Sequence, residues 1–343
     1  MAEFRIVIAD ARPVRVQRLA ALIPTLPGFT LVGTCSTLMD AYSLTEAEVP
    51  NTVLTSQSMR RQAEYGMFAE MMRLLGIRDL ALESVLPDGL DDVGAAAALL
   101  ELRDAAPGSG PLPRLTAVEP RAPARKALLG ASPAQLGSVI VIGASTGGVE
   151  ALHRILSRFP ADCPATLIVQ HIRGAFSGAF AERLNRQCAA EVLEAAQGLP
   201  LARGRVLVAP GADAHLMIEG PPPLACRLVP SEPVTGHRPS VDMLFRSAIP
   251  LGERAVGVLL TGMGQDGARG LLALRRAGAH TIAQDRETST VFGMPRVAAE
   301  LDAASEILPL ESIAEAAIRA ATRAATSRRD AAHATPVAPE IRG

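Results

Sequence analysis

Between residues 105 and 137 the chain holds six prolines, at 107, 111, 113, 120, 123 and 133, and little apolar periodicity. Proline fixes its own φ and drives the residue before it out of the helical region, so this stretch reads as an extended linker. It divides the 343 residues into two blocks, each long enough to bury a core of its own. The expected organisation is a domain over 1–104, the Pro/Ala-rich linker over 105–137, a second domain over 138–326, and a polar, disordered tail over 327–343.

Both blocks alternate short β-rich runs with helical patterns. In the first, strands are predicted at 4–9, 29–34 and 52–56. Helices are predicted at 14–23 and 38–48, after Gly66, and over 93–104. In the second, strands are predicted at 138–143, 165–170, 205–211, 255–262 and 280–284. Helices follow at 147–158, 177–187, 267–277 and 311–325. This βα rhythm predicts an α/β protein with a parallel sheet in each domain, covered by helices.

Composition excludes several classes of function. Net charge is −1, there is no tryptophan, and only two tyrosines occur. Neither a concentrated basic surface nor a base-stacking platform is available, so nucleic acid is not an expected partner. Lys126 is the only lysine. Four cysteines, at 35, 163, 188 and 226, lack metal-ligand spacing, and no metal or cofactor is expected. The N-terminus has no signal-peptide pattern, and no apolar run approaches the roughly 20 residues of a membrane span. A cytoplasmic protein without membrane insertion is expected.

Reactive residues gather at the predicted carboxyl ends of strands in the second block, where open α/β sheets bind ligands. Ser145 lies in the Gly143–Gly147 turn after the first strand, His171 follows the second, and Asp266 sits in TGMGQDG after the fourth. A serine becomes a nucleophile when an imidazole takes its proton and a carboxylate orients that imidazole. Backbone N–H groups at Thr146 and Met263 are candidate oxyanion donors. Each residue also has a plainer reading. The Gly-rich turn suits a phosphate, His171 a structural hydrogen bond, and Asp266 beside Gly267 a turn.

These residues lie within blocks that resemble the chemotaxis protein-glutamate methylesterase (CheB) family. The blocks are VIGASTGG (141–148), IVQHI (168–172), VAPG (208–211), HRPSVDMLF (237–245), LLTGMGQDGA (259–268) and TIAQD…VFGMPRVA (281–298). The resemblance implies a doubly wound catalytic domain with Ser145 as nucleophile, His171 as base and Asp266 as its orienting carboxylate. It implies hydrolysis of γ-glutamyl methyl esters on the cytoplasmic helices of chemoreceptors, and often deamidation of receptor glutamines. A related esterase or deamidase in another signalling pathway, and an idle scaffold, are the alternatives. For His237, Arg238, Ser240 and Asp242, helix capping and loop bracing stand beside substrate contact. Met294 and Pro295 read either as a structural turn or as substrate positioning.

The same resemblance implies a flavodoxin-like receiver over 1–104, which signals by aspartyl phosphorylation and docks partners such as a histidine kinase. This sequence departs from it. The acidic pair is reduced to Asp10, with Ala11 beside it, and the third strand ends in Leu54-Thr55-Ser56 at the phosphoacceptor position. No lysine precedes residue 126. A receiver needs all of these to hold Mg²⁺ and neutralise a phosphoryl group. A pseudo-receiver without metal or phosphoacceptor is expected, with Asp10 serving as a helix cap.

Overall fold

A computed structural model describes residues 4–62, 65–105, 137–172, 176–211 and 213–333. Almost all of the expected linker lies outside them. The chain falls into two compact units, Met1–Ala127 with Ile172–Arg183, and Leu128–His171 with Leu184–Gly343.

The N-terminal elements are β1 (Phe4–Ala9), α1 (Pro13–Leu22), β2 (Phe29–Cys35), α2 (Leu38–Glu48), β3 (Thr52–Thr55), α3 (Gln57–Arg60), α4 (Tyr65–Leu75), β4 (Arg78–Ala81), α5 (Leu82–Val85) and α6 (Asp92–Asp104). All strand pairs are parallel, in the order β2-β1-β3-β4. That is the flavodoxin-like receiver order without its fifth strand among the described residues. Its core joins Ile6, Ile8 and Leu54 of the sheet to Leu19, Leu82 and Leu99 of the helices. Pro13 opens α1, where its missing N–H costs nothing.

The second block runs β5 (Val139–Ala144), α7 (Gly148–Leu156), β6 (Ala165–Gln170), α8 (Phe176–Gln187), β7 (Glu191–Glu194), β8 (Arg205–Val208), β9 (His215–Glu219), β10 (Ala225–Val229), α9 (Val241–Ser247), β11 (Ala255–Leu259), α10 (Ala268–Arg276), β12 (His280–Gln284), α11 (Met294–Glu300), β13 (Glu306–Leu308) and α12 (Leu310–His333). The seven-stranded parallel sheet has the order β13-β12-β11-β5-β6-β8-β7, and β9 and β10 form a separate antiparallel pair. Every residue of β5 and β6 is buried, as apolar runs covered on both faces should be. From β5 the chain passes to β6, goes out to β7 at the edge, lays β8 between those two, and then crosses to place β11 on the other flank of β5. The reversal at β5/β11 creates the crevice in which such sheets bind ligands.

Sequence periodicity located the five central strands but ran β8 and β11 too long, and it passed over β7, β9, β10 and β13. Those four are short, half-exposed or at the sheet margin, so they lack the fully apolar signature. Of the tail expected over 327–343, the part to His333 continues α12, and the rest lies outside the described residues.

Helix α9 packs against the end of β5 at a position where only glycine fits. A Cβ on Gly143 would run into both methyl groups of Val241. Overpacking of this kind costs about 1–3 kcal/mol. Gly143→Ala should therefore lower the urea midpoint of unfolding, and an unchanged midpoint would contradict this packing.

Candidate active site

Ser145 follows the last residue of β5 and is anchored from both sides. Its N–H donates to Thr261 O at 3.0 Å, and its carbonyl accepts from Gly148 N at 2.7 Å and Gln170 Nε2 at 2.9 Å. Gly147, at φ 85°, turns the chain sharply into α7, which sets the largely buried serine at the apex of a strand–turn–helix. Thr261 fastens the facing loop: its hydroxyl donates to Thr146 O at 2.9 Å and accepts from Val291 N at 2.9 Å. Its own N–H donates to Gln284 Oε1 at 2.8 Å. Gly262 lies directly against the serine, since a Cβ there would stand 2.7 Å from Ser145 Cβ. Met263, the next residue, is therefore at the rim and 54% exposed. The N–H groups of Thr146 and Met263 have no acceptor among the described residues.

His171 follows β6, whose Gln170 pairs with Ala144 of β5, so imidazole and serine leave adjacent strand ends. His171 N–H donates to Ala144 O at 3.1 Å. The ring's Nε2 lies 3.0 Å from Asp266 Oδ2. In the neutral tautomer that donates to this carboxylate, Nδ1 carries the lone pair. Nδ1 is buried and has no hydrogen-bond partner among the described residues.

Asp266 lies in the turn that leads into α10, and it is only 1% exposed. Oδ2 accepts from Val241 N at 2.7 Å as well as from His171, while Oδ1 accepts from Ser240 Oγ at 2.9 Å and Asp242 N at 3.1 Å. Burial alone would raise its pKa. The His171 hydrogen bond and charge, with the N–H groups of Val241 and Asp242, outweigh burial and hold it at about 2.

The 237–245 block thereby acquires its role. Ser240 is the N-cap of α9, accepting from Met243 N at 3.4 Å, and it donates to Asp266 at the same time. Arg238 braces the loop through Ser231 O at 2.9 Å and the Asp213 carboxylate at 2.6 Å. Asp242 is buried, accepts from Gly270 N at 2.6 Å, and is pushed up in pKa by burial and by nearby Asp266. His237 stacks on His171, with ring centroids 3.9 Å apart and planes 6° from parallel. Met294 is fully buried against Gly262, whose carbonyl accepts from Met294 N at 2.8 Å, and with Pro295 it opens α11.

Residues 140–317 match the CheB methylesterase family. The protein-glutamate methylesterase/protein-glutamine glutaminase of Agrobacterium fabrum is 38% identical over 93% of this chain and 97% of its own length. That of Caulobacter vibrioides is 36% identical over 92% of this chain and 97% of its own length. The chain belongs to the CheB methylesterase family. The crystal structure of the Thermotoga maritima CheB methylesterase catalytic domain superposes with a TM-score of 0.52 at 34% identity, covering 53% of this chain and 98% of that one.

Three contributors escaped the sequence reading of this CheB chain. Gln170 and Gln284 end buried strands with an amide, and that polar residue closing an apolar run was the available signal. His215 gave no such signal. It is fully buried in the hairpin, accepting from Ser240 N at Nδ1 (3.0 Å) and bonding Glu232 O through Nε2 (3.1 Å).

In the receiver-like unit, Asp10 and Ser56 stand at the ends of the paired strands β1 and β3. Asp10 does not cap α1, whose N-cap is Arg12. Its buried carboxylate instead takes the Arg12 guanidinium at 3.2 Å, with Arg15 at 3.9 Å. The two arginines also reach Glu83 and Asp88. Guanidinium groups therefore balance this acidic pocket. Ser56 is buried and its hydroxyl lies 3.0 Å from that of Ser58.

The low pKa of Asp266 carries a stability signature. A carboxylate depressed on folding stabilises fully above its unfolded pKa near 4 and loses that contribution as pH falls toward 2. The linkage is on the order of 2 kcal/mol. Asp266→Asn should be less stable than the parent at pH 7, and the gap should narrow by pH 3 in urea melts. A gap independent of pH would contradict the cradle.

Proposed function

We propose that Ser145, His171 and Asp266 form a hydrolytic relay acting on glutamyl methyl esters of chemoreceptors in the cytoplasm. The observation that carries this reading is the division of His171's two nitrogens, one engaged by a buried carboxylate and the other partnerless at the strand end beside Ser145.

In this mechanism Ser145 Oγ attacks the ester carbonyl carbon and His171 Nδ1 takes the hydroxyl proton. The imidazolium so formed keeps its Nε2–H on Asp266, which stays ionised. The carbonyl oxygen becomes an oxyanion, and the free N–H groups of Thr146 and Met263 are its donors. Collapse breaks the bond to methoxide, which leaves as methanol with the Nδ1 proton. Water, deprotonated by the same nitrogen, then attacks the acyl-serine and releases glutamate. A glutamine substrate follows the same path with ammonia as leaving group, in keeping with the double name carried by the Agrobacterium and Caulobacter relatives.

The receiver-like unit is read as a module that does not answer to aspartyl phosphorylation and serves to dock a signalling partner. Ser56 stands in for the phosphoacceptor, and arginines take the place a metal would need.

Methanol release from methylated receptor should fall at least 10³-fold in Ser145→Ala, which removes the attacking atom. Retention of activity would reject the relay. Acetyl phosphate or beryllium fluoride with Mg²⁺ should leave the full chain's rate unchanged, and a clear activation would reject the pseudo-receiver.

A further inference from the structure

We propose that His237 is a positioning residue for His171, its ring serving as the flat platform that keeps the general base aligned with Ser145. The inference rests on the serine-esterase reading above.

A hydrogen bond at one nitrogen does not fix an imidazole. Histidine χ2 is a broad torsion, so a ring tethered only at Nε2 can still tilt and carry Nδ1 away from the serine. In this site nothing holds Nδ1, because it has no partner among the described residues. The restraint on tilt is the parallel face of His237 at 3.9 Å. Face-to-face contact also rules out a proton relay between the rings, since that requires nitrogens meeting in plane.

The delivery of His237 is itself tightly built. Residues 234–237 close a two-residue turn in which Val234 and His237 exchange N–H···O bonds of 3.0 Å in both directions. Both central residues have positive φ, Thr235 at 53° and Gly236 at 83°, as a type I′ turn demands. A β-branched residue is rarely found in that region, and such strain persists where its surroundings enforce it. Three residues later the same segment supplies Ser240 and the α9 amides to Asp266. One short stretch thus holds the base by its face and the base's carboxylate by its oxygens.

The stack also suits the charge that develops. When His171 takes the serine proton, it becomes a cation lying on the π face of a neutral ring. Among the described residues, Asp266 is the charged group that acts on both rings, bonded to His171 at Nε2 and raising the pKa of His237 through its charge. Burial and the charge of His171 both lower the pKa of His237, which favours a neutral platform.

The test compares His237→Ala, His237→Leu and His237→Phe in the full chain, with methanol release measured on methylated receptor and Ser145→Ala as control. Loss of alignment is expected to lower kcat by about 10- to 100-fold in the Ala and Leu variants, with KM within about twofold. Phe restores a flat ring without a titratable nitrogen and should return kcat to within about fivefold of the parent. Should the Ala variant fail to fold, as judged by its melt, the Leu–Phe pair makes the same comparison. Parent-like kcat in the Leu variant overturns the proposal, as does a Phe variant no better than Leu. Activity persisting in Ser145→Ala would instead reject the esterase reading on which the proposal rests.

Discussion

The buried carboxylate of Asp266 is the constraint around which the catalytic unit is arranged. An ionised group taken out of water is strongly destabilising unless donors replace its hydration. Here four donors do so: the Ser240 hydroxyl, two amides from the first turn of α9, and His171. Three of the four come from one short segment. The orphan N–H groups of a helix start, which need acceptors in any fold, are used to keep a buried carboxylate charged. His215 reinforces the arrangement one layer out by accepting from the Ser240 amide.

That cradle works because sheet topology brings distant segments together. The reversal between β5 and β11 sets the Ser145 turn against the loop carrying Asp266, and β6 on the other flank supplies His171. Close approach is then a matter of what is missing. Gly262 lies against Ser145, Gly143 against Val241, and Gly270 against Phe245 and Asp242. Buried amides and hydroxyls at strand ends, from Gln170, Gln284 and Thr261, pin the loops that the glycines allow to meet.

Much of this was legible in the sequence. Six buried residues in each of β5 and β6, nearly all of them apolar, make a signal that the sequence shows plainly. The serine, histidine and aspartate could be placed on one rim because each follows such a strand. Support residues were less visible. His215, Ser240 and His237 act through contacts between segments remote in sequence, and a lone polar residue in a loop or hairpin does not announce its partner. Asp10 shows the same limit in the receiver-like unit. Its position suggested a helix cap, but Arg12 is the N-cap of α1, and the carboxylate is claimed by the guanidinium groups of Arg12 and Arg15.

The two units therefore treat buried acid in opposite ways. In one, an arginine pair neutralises the pocket; in the other, neutral donors and an imidazole preserve a charge for use. The central claim is that this charge, acting through His171, makes Ser145 the nucleophile. Reaction with a fluorophosphonate probe followed by mapping of the adduct by mass spectrometry tests it most directly. The adduct should be found on Ser145 and should form far more slowly when His171 is replaced by alanine. Labelling at another residue, or at Ser145 with a rate indifferent to His171, would contradict the account.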